Sequence, residues 1–248
     1  MKEGADRKRR AGIFDAIRSF LFVFLYFFIS LISLIVLFLL SSKRIRAIYV
    51  HLDAKEEERR IQNIRPYVHE GDTILDIGSG NGRFGRAVQD RLKTRVTGVD
   101  VCDYADSTIP FFVYDGISLP FPNKSFDVIF LAFALHHTTN HGVILGDACR
   151  VARKKIIIFE DTFDWPWERL FTCWNDYHTN IFQGWIKAHK GYFKGDPTQM
   201  PMPLTFRSLK GWRDLFRSFP IKVISEEVRT MGYKPLKKVI FCLDLIDP

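Results

Sequence analysis

Cysteine is scarce in this sequence and never clustered. The four thiols, Cys102, Cys149, Cys173 and Cys242, form no C-x-x-C pair, which argues against both a zinc site and a disulfide framework and predicts reduced thiols facing a cytosol-like compartment. Internal repeats and low-complexity tracts are missing too, so 248 residues, 47% of them hydrophobic, read as one ordinary domain with appendages. Nor does the charge suit a nucleic-acid groove. The formal net charge is +8, but five of those charges fall in residues 1–60, around the most apolar stretch of the chain, a distribution suited to a membrane surface.

Charge of either sign is absent from Ser19 to Ser42, SFLFVFLYFFISLISLIVLFLLSS, which Arg18 precedes and Lys43-Arg44 follows. As a helix this stretch would be roughly 36 Å long, enough to cross a ~30 Å hydrocarbon core. It is apolar all round, whereas a soluble helix of that length shows a polar face. It is also too long for a signal peptide, and no small-residue cleavage site follows it. The expected organisation is a basic tail (1–18), a single transmembrane helix (19–42), a helical juxtamembrane linker (43–66) and one domain (67–248). Basic residues flank the span almost equally, so they do not orient it. The apolar helix also offers a surface to partner chains.

Beyond it, "TILDIG", "RVTGVD", "SFDVIFLAFA" and "KKIIIFED" read as strands, and "GRFGRAVQDRL" and "HGVILGDACRVA" as helices between them. Such alternation predicts βαβ units and a parallel sheet covered on both faces. Near the end, "SLKGWRDLFRSF" reads as a helix and "IKVISEEVR" and "KKVIFCLDL" as two strands joined around Gly232. A hairpin closing a parallel sheet makes its last strand antiparallel.

"ILDIGSGNGRFG" holds two overlapping glycine patterns. From Gly80 it is G-x-G-x-x-G, the dinucleotide fingerprint; from Asp76 it is D-x-G-x-G-x-G. Asp76 discriminates between them, because a pyrophosphate on the following helix would lie near its carboxylate, and like charges ~4 Å apart repel by on the order of 4 kcal/mol at an effective dielectric of 20. A donor with an ammonium tail, a sulfonium and no phosphate is attracted instead, as S-adenosyl-L-methionine would be. Asp100, ending the second strand, can accept both ribose hydroxyls, and Asp115 follows a short β-like run where it can accept from an adenine amino group.

"LDIGSGNG", "VTGVD" and "DGISLPFPNKSFDVI", in that order, resemble the class I S-adenosylmethionine-dependent methyltransferases, especially the group that includes the ubiquinone and menaquinone biosynthesis enzymes. The resemblance runs from about Tyr67 to Glu160 and more weakly to the end. It implies a Rossmann-like seven-stranded sheet with an antiparallel last strand, and it assigns residues by position. Asp76 and the Gly78-Ser79-Gly80 backbone hold the methionine part, Asp100 the ribose, and Asp115 with Gly116 the adenine; Val101 and Ile117 stand beside them as further cofactor contacts. Such a cofactor places the domain on the cytoplasmic side.

His136 and His137 follow the fourth strand and are the candidate catalytic residues, one of them a base for a phenol or activated carbon acid near neutral pH. Glu160-Asp161 and Asn175-Asp176 could imitate magnesium ligands, but their order and spacing read better as a solvated strand end and a helix cap, so no metal is expected. Residues 161–212 form an aromatic insert containing all five tryptophans, Trp165, Trp167, Trp174, Trp185 and Trp212, with Lys187, Lys190 and Lys194 among them. The resemblance makes this interval the acceptor lid, and its composition also suits a membrane interface. The leading expectation is a membrane-anchored methyltransferase of a lipophilic small molecule or lipid. Methylation of a protein or soluble metabolite, or a non-catalytic cofactor-binding subunit, remain as alternatives.

Overall fold

The computed structural model describes residues 2–39, 55–104, 109–185, 196, 199–230 and 236–246. Helix α1 (Lys2–Leu39) runs without a break from the basic tail into the apolar stretch. A second helix, α2 (residues 55–64), ends in the turn Arg65–Tyr67, where Pro66 cannot continue it. Then follow β1 (Thr73–Ile77), α3 (Arg83–Leu92), β2 (Arg95–Asp100), β3 (Phe111–Val113), β4 (Phe126–Ala132), α4 (His141–Val151), β5 (Ala152–Thr162), α5 (Pro166–Tyr177), α6 (Leu209–Phe216), β6 (Ile221–Thr230) and β7 (Lys237–Leu245). Each strand and helix read from the domain's sequence is present. The juxtamembrane residues 43–54, the turn at Gly232 and the lysines at 187, 190 and 194 lie outside the described residues.

The seven strands form one sheet in the order β3-β2-β1-β4-β5-β7-β6. β3, β2, β1, β4 and β5 are parallel to their neighbours, and β7 lies antiparallel between β5 and β6. Strand order reverses between β1 and β4. In open α/β sheets ligands bind just outside the carboxyl ends of strands at such a point.

Alternation along each strand divides the core. Leu75, Ile77, Ile129 and Leu131 face α4 and α6, where Leu145, Trp212 and Phe216 cover them. Ile74, Val128, Phe130 and Ile157 face the opposite side, under Ile61 and Ile64 of α2 and Val88 of α3. Trp212 is therefore a core residue of α6, fully buried, and does not belong to the lid. Within the insert, α5 lies along α1. Trp174 Nε1 donates to Ser30 Oγ at 2.9 Å, and Ser19 Oγ donates to Glu168 at 2.7 Å. Between those bonds Tyr26 meets Phe171 edge-on and Phe27 packs on Trp174.

Candidate active site

β1 passes into α3 through Gly78-Ser79-Gly80-Asn81-Gly82, with Gly78 and Gly80 at φ +73° and +55°, a region costly to side chains. The turn is held from behind. The N–H groups of Gly78 and Ser79 both donate to the Val99 carbonyl, at 2.8 and 3.2 Å, and Gly80 N–H donates to Asp100 Oδ2 at 2.8 Å. A Cβ on Gly78 would stand 2.5 Å from the Ala134 Cβ, whereas one on Gly80 would meet nothing within 4 Å. Gly80 faces a cavity of about 650 Å³, within the ~300–1,000 Å³ usual for small-molecule sites.

Asp100 Oδ1 accepts the Cys102 N–H at 3.2 Å. Each carboxylate oxygen keeps a further lone pair, so Asp100 can receive ribose hydroxyls without releasing the loop. Burial raises its pKa, and the Gly80 and Cys102 N–H groups work against that rise. Asp115 accepts the N–H groups of Ile117 and Ser118 at 2.8 and 2.9 Å, an Asx turn that sets Gly116 at φ +77°. A Cβ there would approach Val101 Cγ1 to 3.1 Å, so glycine lets the backbone lie flat against the cavity wall. This wall suits an adenosyl group: open glycine backbone, a carboxylate with spare lone pairs and a flat apolar shelf.

The structure brings together Gly78, Gly80, Asp100, Val101, Asp115 and Gly116, which all line the cavity, as do His136 and His137. Asp76, Ser79 and Ile117 are not part of its wall. Asp76 is 2% exposed and lies beneath α3, its Oδ2 3.1 Å from where a Gly85 Cβ would stand. Burial, and then the charge of Asp100, raise its pKa to about 7. Ser79 Oγ is directed at Gly98, and Ile117 is exposed.

The histidine part of the cavity wall is built from three elements. After β4 the chain makes the short turn Leu135–His137. His136, 1% exposed, places Nδ1 2.6 Å from Glu160 Oε2 of β5, while the other Glu160 oxygen accepts the Leu135 N–H at 2.8 Å. The Phe206 ring stacks on His136 at 4.3 Å. His137 Nδ1 lies 2.8 Å from the Pro201 carbonyl; a carbonyl only accepts, so Nδ1 carries the proton. From α5, Asp176 brings Oδ1 to 3.4 Å from His136 Nε2 and Oδ2 to 4.0 Å from His137 Nε2. For His136, burial alone lowers the pKa, but the Glu160 and Asp176 carboxylates outweigh it and raise it to about 10. Burial, then the neighbouring His136, lower that of His137.

Glu160 and Asp161 are thus buried, not the solvated strand end expected from sequence. The sequence reading assigned Glu160 no part beside His136 and Asp176 none in the cavity. A signal was present for the first pair, since an acid that directly follows a buried run in a central strand sits at the sheet edge where ligands bind.

Residues 75–159 match the family model described as Methyltransferase domain. The chain is similar to the 27-O-demethylrifamycin SV methyltransferase of Amycolatopsis mediterranei, 30% identical over 34% of this chain and 35% of that protein. It is likewise similar to the demethylmenaquinone methyltransferase of Tropheryma whipplei, 35% identical over 35% of this chain and 39% of that protein. It therefore spans well under half the length of these curated relatives. Among solved structures, a SAM-dependent methyltransferase from Aquifex aeolicus superposes with a TM-score of 0.52 at 18% identity, over 77% of this chain and 89% of that one. The order of its glycine and acidic motifs, the seven-stranded sheet with its antiparallel β7 and the methyltransferase-domain match over residues 75–159 together support a class I S-adenosylmethionine-dependent methyltransferase fold for this domain.

Proposed function

We propose that the protein moves a methyl group from S-adenosylmethionine to a lipophilic small-molecule acceptor at a membrane surface. The observation that carries the reading is one cavity lined by Gly80 and Asp100 and also by His136, His137 and Asp176. In it Asp100 would hold the ribose hydroxyls, Val101 and Gly116 the adenine faces with Asp115 at their edge, and the Gly78–Gly80 turn the methionine part. Asp76 acts from behind that turn, its buried carboxylate favouring a cationic donor. When bound, the cofactor supplies a sulfonium methyl group open to in-line attack.

The chain's own task is then alignment and exclusion of water, which is worth roughly 7–11 kcal/mol of barrier in well-oriented systems. His136 and His137 form the acceptor end. Held by Glu160 and by the Pro201 carbonyl, they set the position and charge of an acceptor oxygen or activated carbon. Asn175 and Asp176 reach the same space from α5, which makes α5 the lid.

Membrane attachment rests on α1, the single helix among the described residues long and apolar enough to cross a bilayer. Phe20, Leu21, Phe24, Leu25, Phe28 and Ile32 are all exposed along it, more apolar surface than a soluble protein leaves uncovered. Its contacts with α5 extend from Ser19 to Ser30. Beyond them residues 31–39 amount to roughly 14 Å of helix, about half of a ~30 Å hydrocarbon core. Docked in this way, α1 dips into the membrane with the lid at the surface; crossing over the whole of 19–42 requires the lid to let go.

The test is label transfer. Full-length protein is incubated with methyl-labelled S-adenosylmethionine and a membrane extract, and label is expected in a lipid-extractable small molecule. Label found only in protein or in water-soluble metabolites overturns the choice of acceptor, and no transfer at all overturns the activity.

A further inference from the structure

Two imidazoles and a carboxylate converge at the acceptor end in a way that hydrogen bonding alone does not complete. One ring nitrogen from each of His136 and His137 and an Asp176 oxygen lie within 4.8 Å of one another, and on both rings Nε2 faces Asp176. His136 Nε2 and Asp176 Oδ2 are buried atoms without a hydrogen-bond partner; Asp176 Oδ1, 3.4 Å from His136 Nε2, accepts from Asn180 Nδ2 at 2.8 Å. Two more buried acids stand behind them, Glu160 and Asp161, and Asp161 Oδ1 is likewise unpartnered. Between the Glu160 and Asp176 carboxylates the positive charge is supplied by a proton on His136, and a metal ion binding at Nε2 would take that proton's place.

The outer contacts of both rings specify which kind. A histidine that binds a metal through one nitrogen donates its other N–H to a carboxylate or a backbone carbonyl, and this fixes the ring and its tautomer. His136 Nδ1 faces Glu160 at 2.6 Å and His137 Nδ1 faces the Pro201 carbonyl at 2.8 Å. Both Nε2 atoms are thereby left toward Asp176. A tetrahedral ion with ~2.0–2.2 Å bonds spaces its ligand atoms roughly 3.3–3.6 Å apart; His136 Nε2 is 3.4 Å from Asp176 Oδ1, and His137 Nε2, 4.0 Å from Oδ2, would close on the same donor oxygen as the ion binds.

From this geometry we infer that His136, His137 and Asp176 bind one divalent transition-metal ion, with Glu160 and Pro201 orienting the two imidazoles. Two imidazoles and a single carboxylate favour zinc and its first-row neighbours over magnesium or calcium, which prefer oxygen donors. Three protein ligands leave the remaining positions open to the cavity, as in catalytic and not structural sites. An acceptor bearing a hydroxyl or enol oxygen would complete the coordination. The inference rests on the proposed methyltransferase reading for its role, but not for the site itself.

The experiment is a titration of chelator-treated full-length protein with Co²⁺ and Zn²⁺, read by cobalt d–d absorption and by calorimetry, alongside S-adenosylmethionine titrations of the same samples. One ion per chain is expected. Binding should weaken at least 100-fold in His137→Gln and in Asp176→Asn and about 10–100-fold in Glu160→Gln, with cofactor affinity within about two-fold of the parent. Circular dichroism establishes that each variant is folded, and His137→Asn replaces any that is not. Stoichiometric binding that persists in both ligand variants, or no binding by the parent protein, overturns the inference. Cofactor binding without metal binding sinks the metal site alone, and metal binding without cofactor binding sinks only the methyltransferase reading.

Discussion

Trp174 of α5 donates its indole N–H to Ser30 of α1 at 2.9 Å, 144 positions away in the chain. The next two residues, Asn175 and Asp176, face the cavity on the other side of the same helix. Whatever positions α1 therefore positions one wall of the cavity.

Trp174→Phe keeps a ring against Phe27, 4.8 Å away in the parent, and removes only the donor. A net hydrogen bond contributes about 0.5–1.5 kcal/mol, so the docked lid should be weakened roughly two- to twelve-fold. The acceptor KM should rise by that factor while cofactor affinity stays put. Ser30→Ala should lose the same interhelix bond together with the Ser30 Oγ bond to the Phe27 carbonyl, and the double variant should lose less than the sum of the two, because one bond is shared. Steady-state kinetics with calorimetry checks this; equal losses in acceptor and cofactor binding would point to general disruption instead.

Asp100 joins the glycine turn to the cofactor. Asp100→Asn preserves shape but weakens acceptance from Gly80 and Cys102 and from any ribose hydroxyl. Hydrogen bonds to a charged group contribute about 1.5–3 kcal/mol, so S-adenosylmethionine affinity should fall roughly 10- to 100-fold. Calorimetric titration measures it, and an unchanged affinity would remove Asp100 from the site.

Much of this was legible in the sequence, and the failures have physical causes. Strand and helix periods fixed every element of the sheet, and the closing hairpin announced the antiparallel strand. The glycine turn with Asp100 and Asp115 was readable because turn chemistry is local. Asp76, expected at the cofactor, shares a strand face with Ile74 and packs under α3, within reach of the Asp100 charge but outside the cavity lining. Asp176 was missed as a cavity residue since it enters from a helix of the insert, which only tertiary packing brings to His136. Trp212 was counted with the lid on composition, although its place one turn into an amphipathic helix made it core.

Burial leaves Asp76 with a pKa of about 7, above its unfolded value of 3.8, and this has two opposite consequences. The neutral form favours the fold, so its stabilising contribution is complete below about pH 4 and is lost as pH rises through about 7. A cationic donor instead favours the ionised form, so affinity for S-adenosylmethionine should increase from pH 6 to pH 8. Asp76→Asn should therefore melt higher than the parent at pH 8, bind the cofactor more weakly there, and show a flatter pH profile. Thermal melts and titrations at both pH values check the pair of signs; matching pH profiles in parent and variant would clear Asp76 of any electrostatic part.

Two glycines of one turn should fail in different ways. Gly78 and Gly80 both have positive φ, which costs an alanine about 1–2 kcal/mol. Gly78→Ala adds a collision, because its Cβ would lie 2.5 Å from the Ala134 Cβ, and β1 and β4 flank each other in the centre of the sheet. It should lower stability by more than ~2 kcal/mol, measured by denaturant unfolding. A Cβ on Gly80 meets open space, so Gly80→Ala should lose only the backbone part of that. The same methyl group would occupy the cavity where the methionine part is proposed to bind, and affinity should fall at least ten-fold in a protein that remains folded. If Gly80→Ala bound the cofactor as tightly as the parent, the donor would have to lie elsewhere in the cavity.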